Sequence, residues 1–459
     1  MKRADLHFYD PLYEILLFGD MPSMPGGLRS RIRAGSDQIE LKKHIMPFIR
    51  CPEVARLHWL NQAGFIHLVY PSGSHSRFAH ALGTLHLGSI ALHSISITHK
   101  NITRNLNGWL KISDWIEEFI IALFLHDLGH YPFSHTLENN YGLKKILGNE
   151  FVKHEEAACQ LIKGEGIIYE AYKKRYKDEQ EQLVSSIFKE LSGYQKEIVC
   201  HLISGEKHSR SANHNWLLEM IHDLVSGTYD LDRIDHYRRD SFFTGLGHTF
   251  KPYVLLYGLH YKFNSASNRI EEYPDKDAES QISTLLFIRD QLHKYCFGNI
   301  LNISFNAMLN NALSLHLIGL LKRGAREKAL SILTMTDGEL LAYLLEDRRS
   351  YEIIKDLRSA RAYPCIATFP KEGNLDSSEI LEKVFEQDNS IILGFSKYFD
   401  TPEKPWLGKT DKVPDTGKGY VFSKNQNSDK IIKKLAKIGI NGLAFPTKDE
   451  INSFNYISK

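Results

Sequence analysis

Residues 116–138 read IEEFIIALFLHDLGHYPFSHTLE, and this stretch decides how the rest of the chain is read. Apolar residues recur there at three- and four-residue spacings, as on a packed helix, and Asp114 with Glu117 suits a capping box ahead of them. Gly129 is a natural stop, which leaves His126 and Asp127 near the helix's C-terminal end. From His126 to Glu138 the chain places three histidines, an aspartate and a glutamate within thirteen residues. Imidazole and carboxylate together suit a divalent first-row metal, and histidines left off the metal can hold phosphate or move protons. Two adjacent ligands reach one ion only where the backbone turns, which the glycine at 129 allows.

The same helical spacing extends outward. LKKHIMPFIRCPEVARLHWLNQAG (41–64) and SLHLIGLLKRG (314–324) carry it, so the chain from about 36 to 330 reads as stacked amphipathic helices. The text between 245 and 275 turns aromatic and β-branched, which predicts a short hairpin inserted between helices. Beyond 360, AYPCIATFP, SIILGF, GYVFS and GLAFP alternate with charged text, as in a small α/β appendage. The expected fold is mainly α, a helical core over 1–330 with a mixed C-terminal lobe over 331–459.

Composition excludes several classes. The chain has 459 residues, 42% hydrophobic and 24% charged, a balance that folds. A formal net charge of +2 is far from the basic field of a protein living on nucleic acid, so an anionic ligand needs local arginines. No signal peptide and no run of about 18 apolar residues is visible, and a soluble, cytoplasmic protein is expected. Five scattered cysteines without a C-x-x-C pair suggest neither a disulfide framework nor a zinc knuckle.

Two further clusters join the first. SRFAHALGTLHLG places Arg77 and His80 on one helical face, and YDLDRIDHYRRD (229–240) is unusually charged for a surface turn. His222-Asp223 is a second HD pair, but no Gly-His follows it, and it is read as a decoy.

SRFAHALG, LFLHDLGHYPFSH, HEEAACQLI and SGTYDLDRIDHYRRDSFFTG resemble, in order, the motifs of the HD-superfamily deoxynucleoside triphosphate triphosphohydrolases, with a weaker echo in FIRDQLHKYCFGNIL (287–301). These include bacterial dGTPases and the mammalian sterile-alpha-motif/HD-domain enzyme, and the likeness covers roughly residues 8 to 320. The resemblance implies hydrolysis of a deoxynucleoside triphosphate to deoxynucleoside and inorganic triphosphate, by attack of metal-bound water on the α-phosphorus. It implies His80, His126, Asp127 and Asp232 as ligands of one divalent ion, iron, manganese, zinc or magnesium, with a second magnesium arriving on the triphosphate. His135 would protonate the leaving 5′-oxygen, Glu138 would orient His135, and His130 and His154 would face the α-phosphate. Arg77, Arg233 and Arg289 match phosphate-contacting positions, with His236 where relatives commonly carry Tyr. Gln62 and Asp240 match contacts to the 3′-hydroxyl, and Phe297 an aromatic near sugar and base.

Departures matter too. Ala63 replaces a bulkier residue against the ribose 2′ face, which puts exclusion of ribonucleotides in doubt. Arg50, Ala55 and His58 do not preserve the mammalian enzyme's guanine-nucleotide activator site, so a different nucleotide activator is the expectation, together with a homo-oligomer and a role in nucleotide depletion for antiviral defence. Alternatives are an HD phosphodiesterase or 5′-nucleotidase, and a nucleotide-sensing or nucleic-acid-binding module, although nucleic acid is not indicated by the charge.

Overall fold

The apolar run after Trp115 forms the helix Ile116–Leu125, in which Phe119 through Leu125 are all buried. A helix apolar on every side needs neighbours on every side. Helix Arg77–Thr98 crosses it, helix Leu231–Phe243 packs against that one, and helices Gly193–Ser204 and Trp216–Ser226 cover the remaining faces. The computed structural model describes residues 37–98, 115–188, 193–205, 216–227, 230–264, 269–320, 325–371, 391–397, 417–424 and 428–437, with short pieces at 8–10, 12, 15–17, 31–34, 384, 440, 443–444 and 446.

The architecture is mainly α with a small C-terminal lobe, as expected. One hydrophobic core runs from Leu12 to Leu357 and takes in Tyr363, Ile392, Tyr420 and Phe422. Its spine beyond 300 is helix Ile300–Leu320, which packs against helices Tyr141–Leu147 and Tyr351–Arg358. A second, smaller core gathers Ala367, Phe369, Leu393, Val421 and Leu435.

Strands are few among the described residues. Phe8–Asp10 (β1) pairs with Ile15–Leu17 (β2), and Arg31–Ala34 (β3) with Asp37–Glu40 (β4), both antiparallel and neither anticipated. The expected hairpin is present as Leu259–Asn264 (β5) against Arg269–Pro274 (β6). In the C-terminal lobe Cys365–Lys371 (β7), Gly417–Phe422 (β9) and Ile392–Lys397 (β8) form an antiparallel sheet in the order β7-β9-β8. The stretch GLAFP contributes a bridge from Ala444 to Thr368. None of the five cysteines forms a disulfide and four of them are buried, and among the described residues no helix is long and apolar enough to cross a membrane.

Two local expectations are corrected or fall outside. Asp114 of the proposed capping box lies outside the described residues, and the N-cap position belongs to Trp115, whose side chain makes no cap. Gly129 is not the helix stop: the helix ends at Leu125 with His126 as its C-cap. Gly129 is required by crowding, since a Cβ there would lie 2.0 Å from the His154 carbonyl oxygen and 2.4 Å from the Ala158 nitrogen. Its bare backbone lets helix His154–Lys163 rest directly on the His126–His130 turn. Gly129→Ala is expected to destabilise by about 1–3 kcal/mol through forced separation of these two backbones. Gly338→Ala, in open space on a helix, should instead stabilise by about 0.5–1 kcal/mol. Urea midpoints of the two variants, moving in opposite directions, check the claim.

Candidate active site

Three segments converge on one point. His80 comes from the first turn of helix Arg77–Thr98, His126 and Asp127 from the end of Ile116–Leu125, and Asp232 from the first turn of Leu231–Phe243. That last helix starts where it does because Asp230 caps it, accepting from the Arg233 backbone nitrogen at 2.7 Å. Ligand-capable atoms of His80, His126 and Asp232 lie within 4.8 Å of one another. Asp127 stands beside them, one oxygen 3.5 Å from His126 Nε2 and the other 3.9 Å from His80 Nε2.

Hydrogen bonds set which nitrogens face inward. His126 Nδ1 donates to the Leu123 carbonyl at 2.8 Å, and His80 Nδ1 pairs with Asp235 Oδ2 at 2.7 Å. Both rings therefore turn Nε2 to the centre, 3.2 Å apart. His80 Nε2 also lies 2.8 Å from Asp232 Oδ1, so a proton or a cation can sit among the three groups. Metal–nitrogen bonds of about 2.0–2.1 Å at a tetrahedral angle separate two nitrogens by about 3.3 Å, so the donor set fits a divalent ion. Burial alone would lower the His80 pKa, yet hydrogen bonds to Asp232 and Asp235 and the Asp127 charge push it up to about 10. The pocket is thus built to hold positive charge.

A row of imidazoles flanks this pocket. His130 Nε2 lies 3.2 Å from Asp127 Oδ1, and the His130 ring stacks on His154 with centroids 3.9 Å apart. Glu138 joins the row: Oε1 accepts from His154 Nδ1 at 2.6 Å and Oε2 from His135 Nδ1 at 2.9 Å. Burial works against the Glu138 charge, but the two histidines hold its carboxyl well below the usual range. His154 is raised against its burial by Glu138, whereas burial and the charges of Arg77 and His154 keep His130 neutral. The His135 side chain is 67% exposed, free to reach a ligand.

On another side polar groups gather around His236. His236 Nδ1 is 3.3 Å from both Gln62 Nε2 and Asp240 Oδ2, and its ring lies parallel to Phe297 with centroids 6.0 Å apart. Asp240 Oδ1 is bound to His75 Nε2 at 2.6 Å. Gln62 Oε1 and Asp240 Oδ2, both fully buried, accept no hydrogen bond among the described residues, His236 Nδ1 near the latter being outside hydrogen-bond geometry. Buried acceptors left this way call for a donor from a ligand.

The cations are distributed unevenly. Arg77 is buried, bonded to Asp127 Oδ2 and Ser134 Oγ at 2.7 Å each. Arg233 pairs with Asp230 at 2.7 Å and lines an open cleft of about 460 Å³ together with His126, Lys153, His154 and Asp232. Arg289 bonds to Asp290 at 2.8 Å on helix Lys276–Gln291, and it is not among the residues of that cleft. His222, the decoy, lines the cleft but falls in neither cluster of metal-capable residues, and its Nδ1 is bound to the Leu202 carbonyl.

Asp235 and Arg239 are the residues whose roles sequence reasoning left unassigned. Arg239 is fully buried, not a salt-bridged surface residue, and its guanidinium joins Asp235 at 2.8 Å to Asp10 at 2.7 Å. The three-residue step from Asp232 to Asp235 was the available signal, since it puts both carboxylates on one helical side toward His80.

The HD domain family matches residues 77–237, the span that contributes all four of these metal-capable residues. The chain carries an HD domain. Among curated relatives, the deoxynucleoside triphosphate triphosphohydrolase SAMHD1 homolog of Dictyostelium discoideum is 28% identical over 45% of this chain and 35% of its own length. The human deoxynucleoside triphosphate triphosphohydrolase SAMHD1 is 27% identical over 46% of this chain and 33% of its own length. An uncharacterized protein of Methanocaldococcus jannaschii is 33% identical over 25% of this chain and 22% of its own. The chain thus spans about a third of the length of the named triphosphohydrolases. An HD domain with this donor set supports a metal-dependent hydrolase.

Removing one hydrogen-bond partner of a ligating histidine typically costs about 10–100-fold in metal affinity. Asp235→Asn should therefore weaken Mn²⁺ binding by about that factor while the residues of the pocket stay unchanged, measured by calorimetry on the metal-stripped protein, and Asp232→Ala should bind more weakly still.

Proposed function

We propose that this chain hydrolyses deoxynucleoside triphosphates to deoxynucleoside and inorganic triphosphate. The observation that carries the reading is the pairing of two half-sites: a cation pocket flanked by imidazoles, and beside it the buried, unpartnered acceptors Gln62 Oε1 and Asp240 Oδ2. A bare polyphosphate or a phosphate ester without a sugar has no use for the second half. A nucleoside supplies the missing donor through its sugar hydroxyl. The triphosphohydrolase names of the partial relatives support the same reading.

In this reading His80, His126, Asp127 and Asp232 hold one divalent ion, which when bound supplies a water of lowered pKa and polarises a phosphoryl oxygen. Sugar and base lie along His236 and Phe297. Arg77, His130 and His154 face the α-phosphate, where His154, its pKa raised by Glu138, offsets developing negative charge. Arg233, in the cleft, is placed for the distal phosphates, and Arg289 would have to leave Asp290 to join it. The P–O bond to the 5′-oxygen breaks as His135 transfers its Nε2 proton to that oxygen, with Nδ1 held by Glu138. A nucleotide activator and a homo-oligomer belong to the same proposal.

Product analysis with each dNTP and NTP, with Mn²⁺ or Mg²⁺ and beside Asp127→Ala, tests it. Deoxynucleoside plus intact triphosphate, absent from the control, is the expected result, and release of orthophosphate or turnover of monophosphates alone would point instead to the nucleotidase alternative. His135→Gln is expected to lower kcat by about 10²–10⁴-fold, the usual contribution of a general acid, with product identity unchanged.

A further inference from the structure

His135 opens the short helix His135–Glu138, and the two residues before it, Phe133 and Ser134, have left-handed backbones with φ of 53° and 51°. Such conformations cost roughly 1–3 kcal/mol each outside glycine and persist only where the surroundings over-determine them. The constraint comes from outside the matched 77–237 span. Asp337 Oδ1 accepts from the Phe133 backbone nitrogen at 2.7 Å, and Asp337 Oδ2 accepts from the Asn61 backbone nitrogen at 2.9 Å. Asp337 is 5% exposed and is the first residue of helix Asp337–Leu345, whose start is locked by a capping box between Thr336 and Glu339.

A second buried charge works beside it in the opposite sense. Arg56, 3% exposed, donates to the His130 carbonyl at 2.7 Å, the Met335 carbonyl at 2.8 Å and the Leu333 carbonyl at 3.3 Å. One anion and one cation therefore fasten residues 130–133 to the 333–337 turn, and the anion fastens residue 61 as well. Residue 61 precedes Gln62, and residue 133 stands two before His135. Phe133 is further held by stacking on Phe65, with centroids 4.3 Å apart.

We infer that Asp337 is a positioning residue: by holding the Phe133 and Asn61 backbone nitrogens with its two oxygens, it fixes the distance between the proton donor His135 and the sugar contact Gln62. Its carboxylate is the only part of the side chain that can do this. An amide at 337 keeps one acceptor and turns an NH₂ group toward the other backbone N–H, donor against donor, which releases one of the two segments. The catalytic consequence rests on the function proposed above, while the structural one does not.

The test compares wild type with Asp337→Asn in two ways. Histidine-labelled protein gives ring NMR signals, with His135 identified by its loss in His135→Gln. Turnover is measured on a dNTP and on its analogue with sulfur in place of the 5′-oxygen, whose thiolate leaves without a proton. Asp337→Asn is expected to move the His135 signal and to lower dNTP kcat by about 10²-fold, the effect of a misplacement near 1 Å, while kcat on the 5′-thio analogue stays within about twofold. An unmoved His135 signal, or equal losses on both substrates, overturns the positioning role. If wild type turns over neither substrate, the proposed function fails and the His135 signal alone decides the present inference. Should Asp337→Asn not fold, Arg56→Lys, which cannot reach the His130 and Met335 carbonyls together, is read by the same two criteria.

Discussion

The contact on which the rest of the molecule depends is the hydrogen bond from His80 Nδ1 to Asp235, because it is the inner end of a buried chain of charges. Asp235 is gripped by Arg239, and Arg239 reaches Asp10 near the start of the sequence. Removing charged groups from water is expensive, and such a set survives inside a protein only when every member is paired. The helix carrying His80 cannot shift without unpairing Asp235. Space is reserved for this arrangement, since a Cβ on Gly83 would lie 2.0 Å from an Asp235 oxygen. The N-terminal hairpin of β1 and β2 thereby acquires a purpose that its brevity conceals, because it delivers Asp10.

Electrostatic asymmetry follows from where the helices end. The cation pocket has the Asp232 carboxylate, with Asp127 beside it and Asp235 behind His80, while in the neighbouring row Glu138 sits between two histidines. The same residue type is thus given different work by its surroundings. Burial beside Arg77 lowers the His130 pKa, and the Glu138 carboxylate raises that of His154.

Much of this was readable in the sequence. The period of the apolar residues predicts the helices around the site, and the β5–β6 hairpin and the β7–β9 sheet were marked by aromatic and β-branched text. The cation pocket was legible because its ligands sit in dense local clusters. Gly129 was misread because local chemistry suggests a helix stop, whereas its reason is a tertiary approach by the His154 backbone. Arg56 and Asp337 were invisible for a related reason: they act on backbone atoms 74 and 204 residues away, and a backbone nitrogen has no signature in a sequence.

The groups of the pocket that could hold a metal ion come from positions 80, 126 and 232, and their supports from 10 and 235. In an unfolded chain these groups are far apart and bind no ion as a set. A bound divalent cation is therefore a noncovalent cross-link between three helices, selective for the native state. Its binding free energy adds to the folding free energy, so at a concentration of about 100 times its dissociation constant it contributes about 2.7 kcal/mol. Metal availability would then govern not only whether the site can work but how long the molecule that contains it survives.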